Sequence, residues 1–168
     1  MNILFVCTGN ICRSPLAEVI FRELVRNEGL EAEILVDSAG TEGYHEGDPA
    51  DERSRRTARS RGLEITHRSR EIRATDFTKF DRIIAMDSHN LRDLQRLARG
   101  ERERRKISLL RDFDPSGPGD VPDPYYGSLD DFEMVWHMCE RSAPRLLDYL
   151  KAFGLEAFEE PTGRLTGR

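Results

Sequence analysis

The sequence predicts an α/β protein: a single three-layer αβα domain on a central four-stranded parallel sheet, with a functional loop after the first strand. Short apolar runs alternate with longer stretches of helical periodicity, which is the pattern of a parallel sheet covered on both faces. The first of those runs leads straight into a glycine-containing loop that opens a helix. No internal repeat or composition break divides the chain, and 168 residues are enough to bury one core without disulfide staples.

Taken in order, Asn2 to Val6 is a buried strand. From Pro15 to Asn27, the residues Leu16, Val19, Ile20, Leu24 and Val25 recur with helical spacing. Glu33 to Val36 reads as a second strand running into Asp37. Asp48-Pro49 then offers a cap and a first-turn proline for a polar helix that stops near Gly62. Arg82 to Met86 is a third strand, after which Asp87 or Ser88 caps a helix running through Leu91, Leu94 and Leu97 to Gly100. Ile107 to Leu110 is the fourth strand. Between Asp112 and Gly127, Pro115, Pro118, Pro122 and Pro124 exclude regular structure, and a loop of that length in a compact domain points to function. The last helix, Leu129 to Phe153, gathers Phe132, Val135, Trp136 and Cys139 near one face and is expected to bend or break at Pro144. Residues 1–155 are taken as the domain and 156–168 as a polar tail.

Charge and cysteine content narrow the function. A net charge of −5 gives no general attraction for nucleic acid. Arginines nonetheless cluster at Arg53, Arg55, Arg56, Arg59 and Arg61, and again at Arg102, Arg104 and Arg105. Interspersed acids make these solvated helix faces, with a basic rim for phosphorylated ligands as the alternative. The apolar runs are too short to span a bilayer and no basic leader precedes the first strand, so a cytoplasmic protein without a membrane partner is expected. Cys7, Cys12 and Cys139 make an odd count without secretory context, which favours reduced thiols. His45, His67, His89 and His137 lack ligand spacing, so neither a metal nor a cofactor is expected.

Cys7-Thr8-Gly9-Asn10-Ile11-Cys12-Arg13-Ser14-Pro15 lies between the first strand and the first helix. Backbone N–H groups of such a loop and of the helix N-terminus converge, and convergent N–H groups bind anions. Gly9 and Asn10 are residue types that tolerate the left-handed backbone a tight concave loop needs. Positive charge from a helix terminus and an arginine is what activates a thiol, which marks Cys7 as a nucleophile. Arg13 offers a planar fork for two phosphoryl oxygens, and the Ser14 hydroxyl can donate to the sulfur. Together these residues point to phosphoryl transfer from a monoester onto a cysteine.

Val6 to Pro15 resembles the signature loop of the low-molecular-weight protein tyrosine phosphatases, and Asp123-Pro124-Tyr125-Tyr126-Gly127 resembles that family's general-acid loop. The resemblance continues through Asp37-Ser38-Ala39-Gly40, His67 and Met86-Asp87 to about the end of the last helix. It implies a monomeric protein tyrosine phosphatase acting on a phosphotyrosine-containing protein, with inorganic phosphate as product and competitive ligand. By the resemblance, Cys7 attacks phosphorus and Arg13 binds the phosphoryl group, held in a loop from Thr8 through Gly9, Asn10, Ile11 and Cys12 to Ser14. Asp123 protonates the leaving oxygen and then activates water. A phenolate leaving group, whose conjugate acid has a pKa of about 10, makes such a donor valuable. Tyr125 and Tyr126 are implied as one wall of an aryl slot, with Ile11 and Tyr44 on the other side. Asn10 is implied to brace the loop, and His67 to hydrogen-bond to it from a neighbouring segment. Cys12, five positions from Cys7, suits either a reversible disulfide with it or a small packing role, and Cys139 is expected in the core.

Rival readings make different demands. Arsenate reductases of this fold carry extra cysteines after the third strand, whereas Asp87 to Gly100 contains none. A protein-arginine phosphatase has threonine in the place of Ile11 and lacks the tyrosine pair. A non-catalytic phosphate-binding module would lack the nucleophile, the arginine or the acid, and all three residue types are present. Asp120 is the residue most easily mistaken for Asp123.

Overall fold

The first strand dictates the architecture. In the computed structural model, which describes residues 1–154, β1 spans Asn2–Cys7 and is buried from Ile3 onward. Successive side chains leave a pleated strand on opposite faces. Ile3, Phe5 and Cys7 join the apolar cluster of α1 (Arg13–Asn27) and α6 (Leu129–Gly154). Leu4 and Val6 enter a second cluster with α3 (Asp76–Lys79) and α4 (Ser88–Leu97). This is the three-layer arrangement that the alternating pattern predicts.

The strands β2 (Leu35–Gly40), β3 (Arg82–Ala85) and β4 (Ile107–Leu109) complete an all-parallel sheet in the order β2-β1-β3-β4. Cys7 pairs with Gly40 on one side of β1, and Val6 pairs with Ala85 on the other. Strand order reverses at β1, so a crevice opens at its carboxyl end. Residues 8–12 form the loop at that point.

Several boundaries differ from expectation. The second strand begins at Leu35 and not at Glu33, because residues 31–33 form a turn and the Leu35 N–H donates to the Met1 carbonyl; pairing with β1 sets the register. The polar helix α2 is Glu52–Arg59, and its cap is Asp51, whose carboxylate accepts the Arg53 N–H at 2.8 Å. Pro49 instead sits in an isolated bridge opposite Arg68. α1 starts at Arg13, two residues before the predicted Pro15. Pro144 neither breaks nor ends α6, where burial of Val135, Trp136, Cys139, Leu146 and Leu147 outweighs one missing donor. The single turns α3 and α5 (Glu101–Arg104) are too short to show periodicity.

Asp87 is the N-cap of α4. In the first arginine cluster, Arg55 meets Glu52, Arg59 meets Glu52 and Glu64, and Arg61 meets Glu133; in the second, Arg105 meets Glu101. No helix among the described residues is long and apolar enough to cross a membrane. The predicted tail, 156–168, lies outside the described residues.

Candidate active site

The loop after β1 is shaped by one residue. Asn10 takes a left-handed φ of 56°, which few L side chains accept. Gly9, a type that tolerates this backbone, does not adopt it; its contribution is space, since an added Cβ would lie 3.1 Å from Cδ2 of His45. The buried Asn10 side chain locks the turn. Its Nδ2 donates to Ser14 Oγ at 2.8 Å and Ser38 Oγ at 3.0 Å, while Oδ1 accepts the Arg70 N–H at 3.0 Å. Nε2 of His67 lies 2.8 Å from the same Oδ1, an acceptor, so that nitrogen carries the proton.

Behind His67, its Nδ1 lies 3.4 Å from Asp37 and 3.6 Å from Glu18. Glu18, Asp37 and His67 have ligand-type atoms within 4.8 Å of one another, a set the histidine spacing did not announce. The two carboxylates are already engaged: Ser38 Oγ donates to Glu18, and the Ser38 N–H and Arg70 Nη2 donate to the two oxygens of Asp37. The cluster reads as a hydrogen-bonded support for the loop.

Ser14 Oγ lies 3.0 Å from Cys7 Sγ. That oxygen accepts from Asn10, and its own proton faces two acceptors, the sulfur and, at 3.5 Å, the Ala39 carbonyl. Arg13 is 1% exposed although charged. Its Nη1 donates to Asp87 Oδ2 at 2.6 Å and to the Val121 carbonyl at 3.0 Å, and Nη2 reaches Thr8 Oγ1 at 3.4 Å. Burial disfavours its charge, but Cys7, Asp87 and Asp123 outweigh burial and raise its pKa. Nε remains buried without a hydrogen-bond partner. A buried donor left unpaired costs about 1–3 kcal/mol, and a phosphoryl oxygen would satisfy it.

Cys7, Thr8, Gly9 and Arg13 line a cleft of about 310 Å³. Asp123 lines it as well, with Oδ2 3.7 Å from Arg13 Nη2 and Oδ1 accepting the Tyr125 N–H at 3.1 Å. Its side chain is 51% exposed, so it faces both the guanidinium and solvent. Asp120 is committed elsewhere, accepting from Ser88 N at 2.9 Å and Ser88 Oγ at 3.1 Å. Tyr125 and Tyr126 meet edge to face at 4.9 Å and border the cleft with Tyr44, Ile11 and Cys12. Asn10, Ser14 and His67 lie behind the loop, outside that lining.

All three cysteines are free. Burial, and after it Asp51, pushes the Cys12 thiol up, and Cys12 packs with Ile11 and Phe132. Cys139 sits in the core, its thiol raised to about 12 by burial.

Sequence reasoning missed three residues at this site. Asp87 was visible as a helix cap and within the resemblance, but with no role at the site, yet its second oxygen holds Arg13. His45 lines the cleft beside Gly9. Arg53, read as part of a solvated face, bonds to the carbonyls of Tyr125 and Gly127. Only the capping signal of Asp87 was local enough to find.

A thiol, a buried arginine and a carboxyl around one anion-sized cleft, at the switch point of a doubly wound sheet, define a phosphatase-type site. The model of the low molecular weight phosphotyrosine protein phosphatases matches residues 2–154, and the chain belongs to that family. A low molecular weight protein-tyrosine-phosphatase of Streptomyces coelicolor is 45% identical, over 87% of this chain and 91% of that one. The solved protein tyrosine phosphatase of Entamoeba histolytica, with Hepes in its active site, superimposes with a TM-score of 0.87 at 40% identity, covering 90% of this chain and 97% of that one. A Drosophila arginine phosphatase also superimposes, with a TM-score of 0.83 at 34% identity, over 90% and 98% of the two chains. Family and fold together make the protein a phosphatase.

Proposed function

We propose that the protein hydrolyses phosphotyrosine in proteins, and aryl phosphates generally, through a phosphocysteine. One observation carries the reading: the buried Arg13, with Nε unpaired, lies in one cleft with Cys7 and 3.7 Å from Asp123. The Cys7 thiolate attacks phosphorus along the axis of the aryl ester bond. As the S–P bond forms and the P–O bond breaks, Arg13 and the loop N–H groups hold the equatorial oxygens. Asp123, protonated at the start, delivers its proton to the departing phenolate. The resulting carboxylate then takes a proton from water, which attacks phosphorus and releases phosphate and the Cys7 thiolate. Ser14 steadies the sulfur before attack and on departure.

The substrate is thus a phosphotyrosyl protein, and inorganic phosphate is product and competitive ligand. The Drosophila neighbour makes phosphoarginine the second reading. Ile11, where that reading demands threonine, and the tyrosine pair at the cleft favour the aryl ester.

The test is phosphate release from an aryl phosphate in chelator at mildly acidic pH. Wild type should turn over, and Cys7→Ser should lose roughly 10³-fold or more. Undiminished turnover in the variant overturns the cysteine mechanism, and faster release from a phosphoarginine than from a phosphotyrosine peptide overturns the substrate. Activity still rising above about pH 8 contradicts a protonated Asp123.

A further inference from the structure

Arg53 stands at the start of α2, and no step of the chemistry above uses it. Its guanidinium bridges two loops. Toward the acid segment, Nη2 donates to the Tyr125 carbonyl at 2.9 Å and Nη1 to the Gly127 carbonyl at 3.1 Å. Toward the anion loop, Nε and Nη2 each grip the Asp51 carboxylate at 3.0 Å. Asp51 is tied to that loop through its own N–H, which donates to the Ile11 carbonyl at 2.8 Å. Ser54 Oγ adds a bond to the Cys12 carbonyl at 3.0 Å. Beneath the guanidinium, the Phe132 ring lies 4.5 Å away and packs against Ile11 and Cys12. One side chain therefore joins the segment that carries Asp123 to the loop that carries Cys7 and Arg13.

We propose that Arg53 is a positioning residue that sets the reach of the Asp123 carboxyl toward the leaving oxygen. The proposal rests on the reading of Asp123 as proton donor. Four acceptor atoms on two sides require a planar fork of five N–H donors, whereas a lysine ammonium presents its donors from one point. A displacement of about 1 Å in a reacting group is enough to cost on the order of 10²-fold in rate.

The signature is leaving-group dependence. Protonation matters most for a basic phenolate and little for a weakly basic one. In Arg53→Met, kcat/KM for phenyl phosphate should fall about 10–100-fold, with a change within about threefold for an aryl phosphate of a strongly acidic phenol. Inhibition by inorganic phosphate should stay within about twofold of wild type, because the anion loop is left in place. Arg53→Lys should not restore the phenyl phosphate rate. Asp51→Asn, which keeps the cap and the backbone bond but removes the charge gripping Arg53, should steepen the dependence partway and serves if Arg53→Met does not fold.

Asp123→Asn, measured in parallel, separates the two claims. If Asp123→Asn steepens the dependence and the Arg53 and Asp51 variants follow the wild-type slope, the positioning role is wrong and the donor reading stands. If Asp123→Asn leaves the slope unchanged, the donor reading fails and this proposal with it. A uniform loss across all leaving groups, with weakened phosphate inhibition, makes Arg53 a scaffold residue of the anion loop and overturns the proposal.

Discussion

Four hydrogen bonds converge on the side chain of Asn10, at a backbone angle few residues accept. Conformation and bonding are separable by substitution. Asn10→Gly keeps the left-handed backbone and loses the bonds, and Asn10→Ala loses both. Chemical denaturation should find the glycine variant more stable than the alanine variant by roughly 1 kcal/mol, with turnover depressed in both because Ser14 loses its orienting donor. Arg13→Lys keeps a charge near Asp87 but not the fork, so inhibition by inorganic phosphate should weaken on the order of 10²-fold. Unchanged inhibition would show that the loop N–H groups suffice. At this scale the sequence was uneven. Asn10 was legible from its type as a left-handed residue, and Arg13 from its place after the loop. The tie of Arg13 to Asp87 spans 74 positions, and Arg53, near the start of a polar helix, looks like surface until its partners are known.

Elements were legible in proportion to their periodicity. α1, α4 and α6 announce themselves through repeating apolar positions and β1 through an unbroken apolar run, whereas β2 starts where β1 pairs with it, a relation no local window contains. The cap of α2 moved to Asp51 because a second carboxylate stands three residues past Asp48, and only the fold shows which one finds a free N–H. The carboxyl end of β2 carries a constraint of its own. A Cβ on Gly40 would meet the Thr8 carbonyl at 2.6 Å and the Glu42 carbonyl at 3.0 Å. Both are backbone atoms, and the first belongs to the anion loop. Gly40→Ala should therefore destabilise by about 1–3 kcal/mol and reduce activity beyond what unfolding explains, because the strand can relieve the contact only by displacing Thr8. Denaturant melts and kcat/KM on the same preparation check both parts.

Across the whole molecule, the long loop is held to α6 by Asp114. Arg141 donates to its carboxylate at 3.0 and 2.9 Å, Arg111 at 3.0 Å and the Ser116 N–H at 2.9 Å. These partners, Arg141 foremost, hold the Asp114 pKa down from 3.8 to about 2. A depressed carboxyl contributes stability that is fully present above its unfolded value and is lost as pH falls through the folded one. The contribution, roughly 2 kcal/mol, should fade between about pH 4 and pH 2. Asp114→Asn should be less stable at neutral pH and show a flatter acid limb in that window, and an acid limb identical to wild type would remove Asp114 from the ledger.

β1 has a further consequence. The strand that ends in Cys7 lies between two paired neighbours and two helical layers, whereas Asp123 rides on a surface segment. Amide protons of β1 should exchange with deuterium only when the entire fold opens, and those of residues 112–127 through smaller, more frequent openings. Anion binding and far-ultraviolet ellipticity should then vanish at a single denaturant midpoint, with exchange on the Asp123 side running ahead of both.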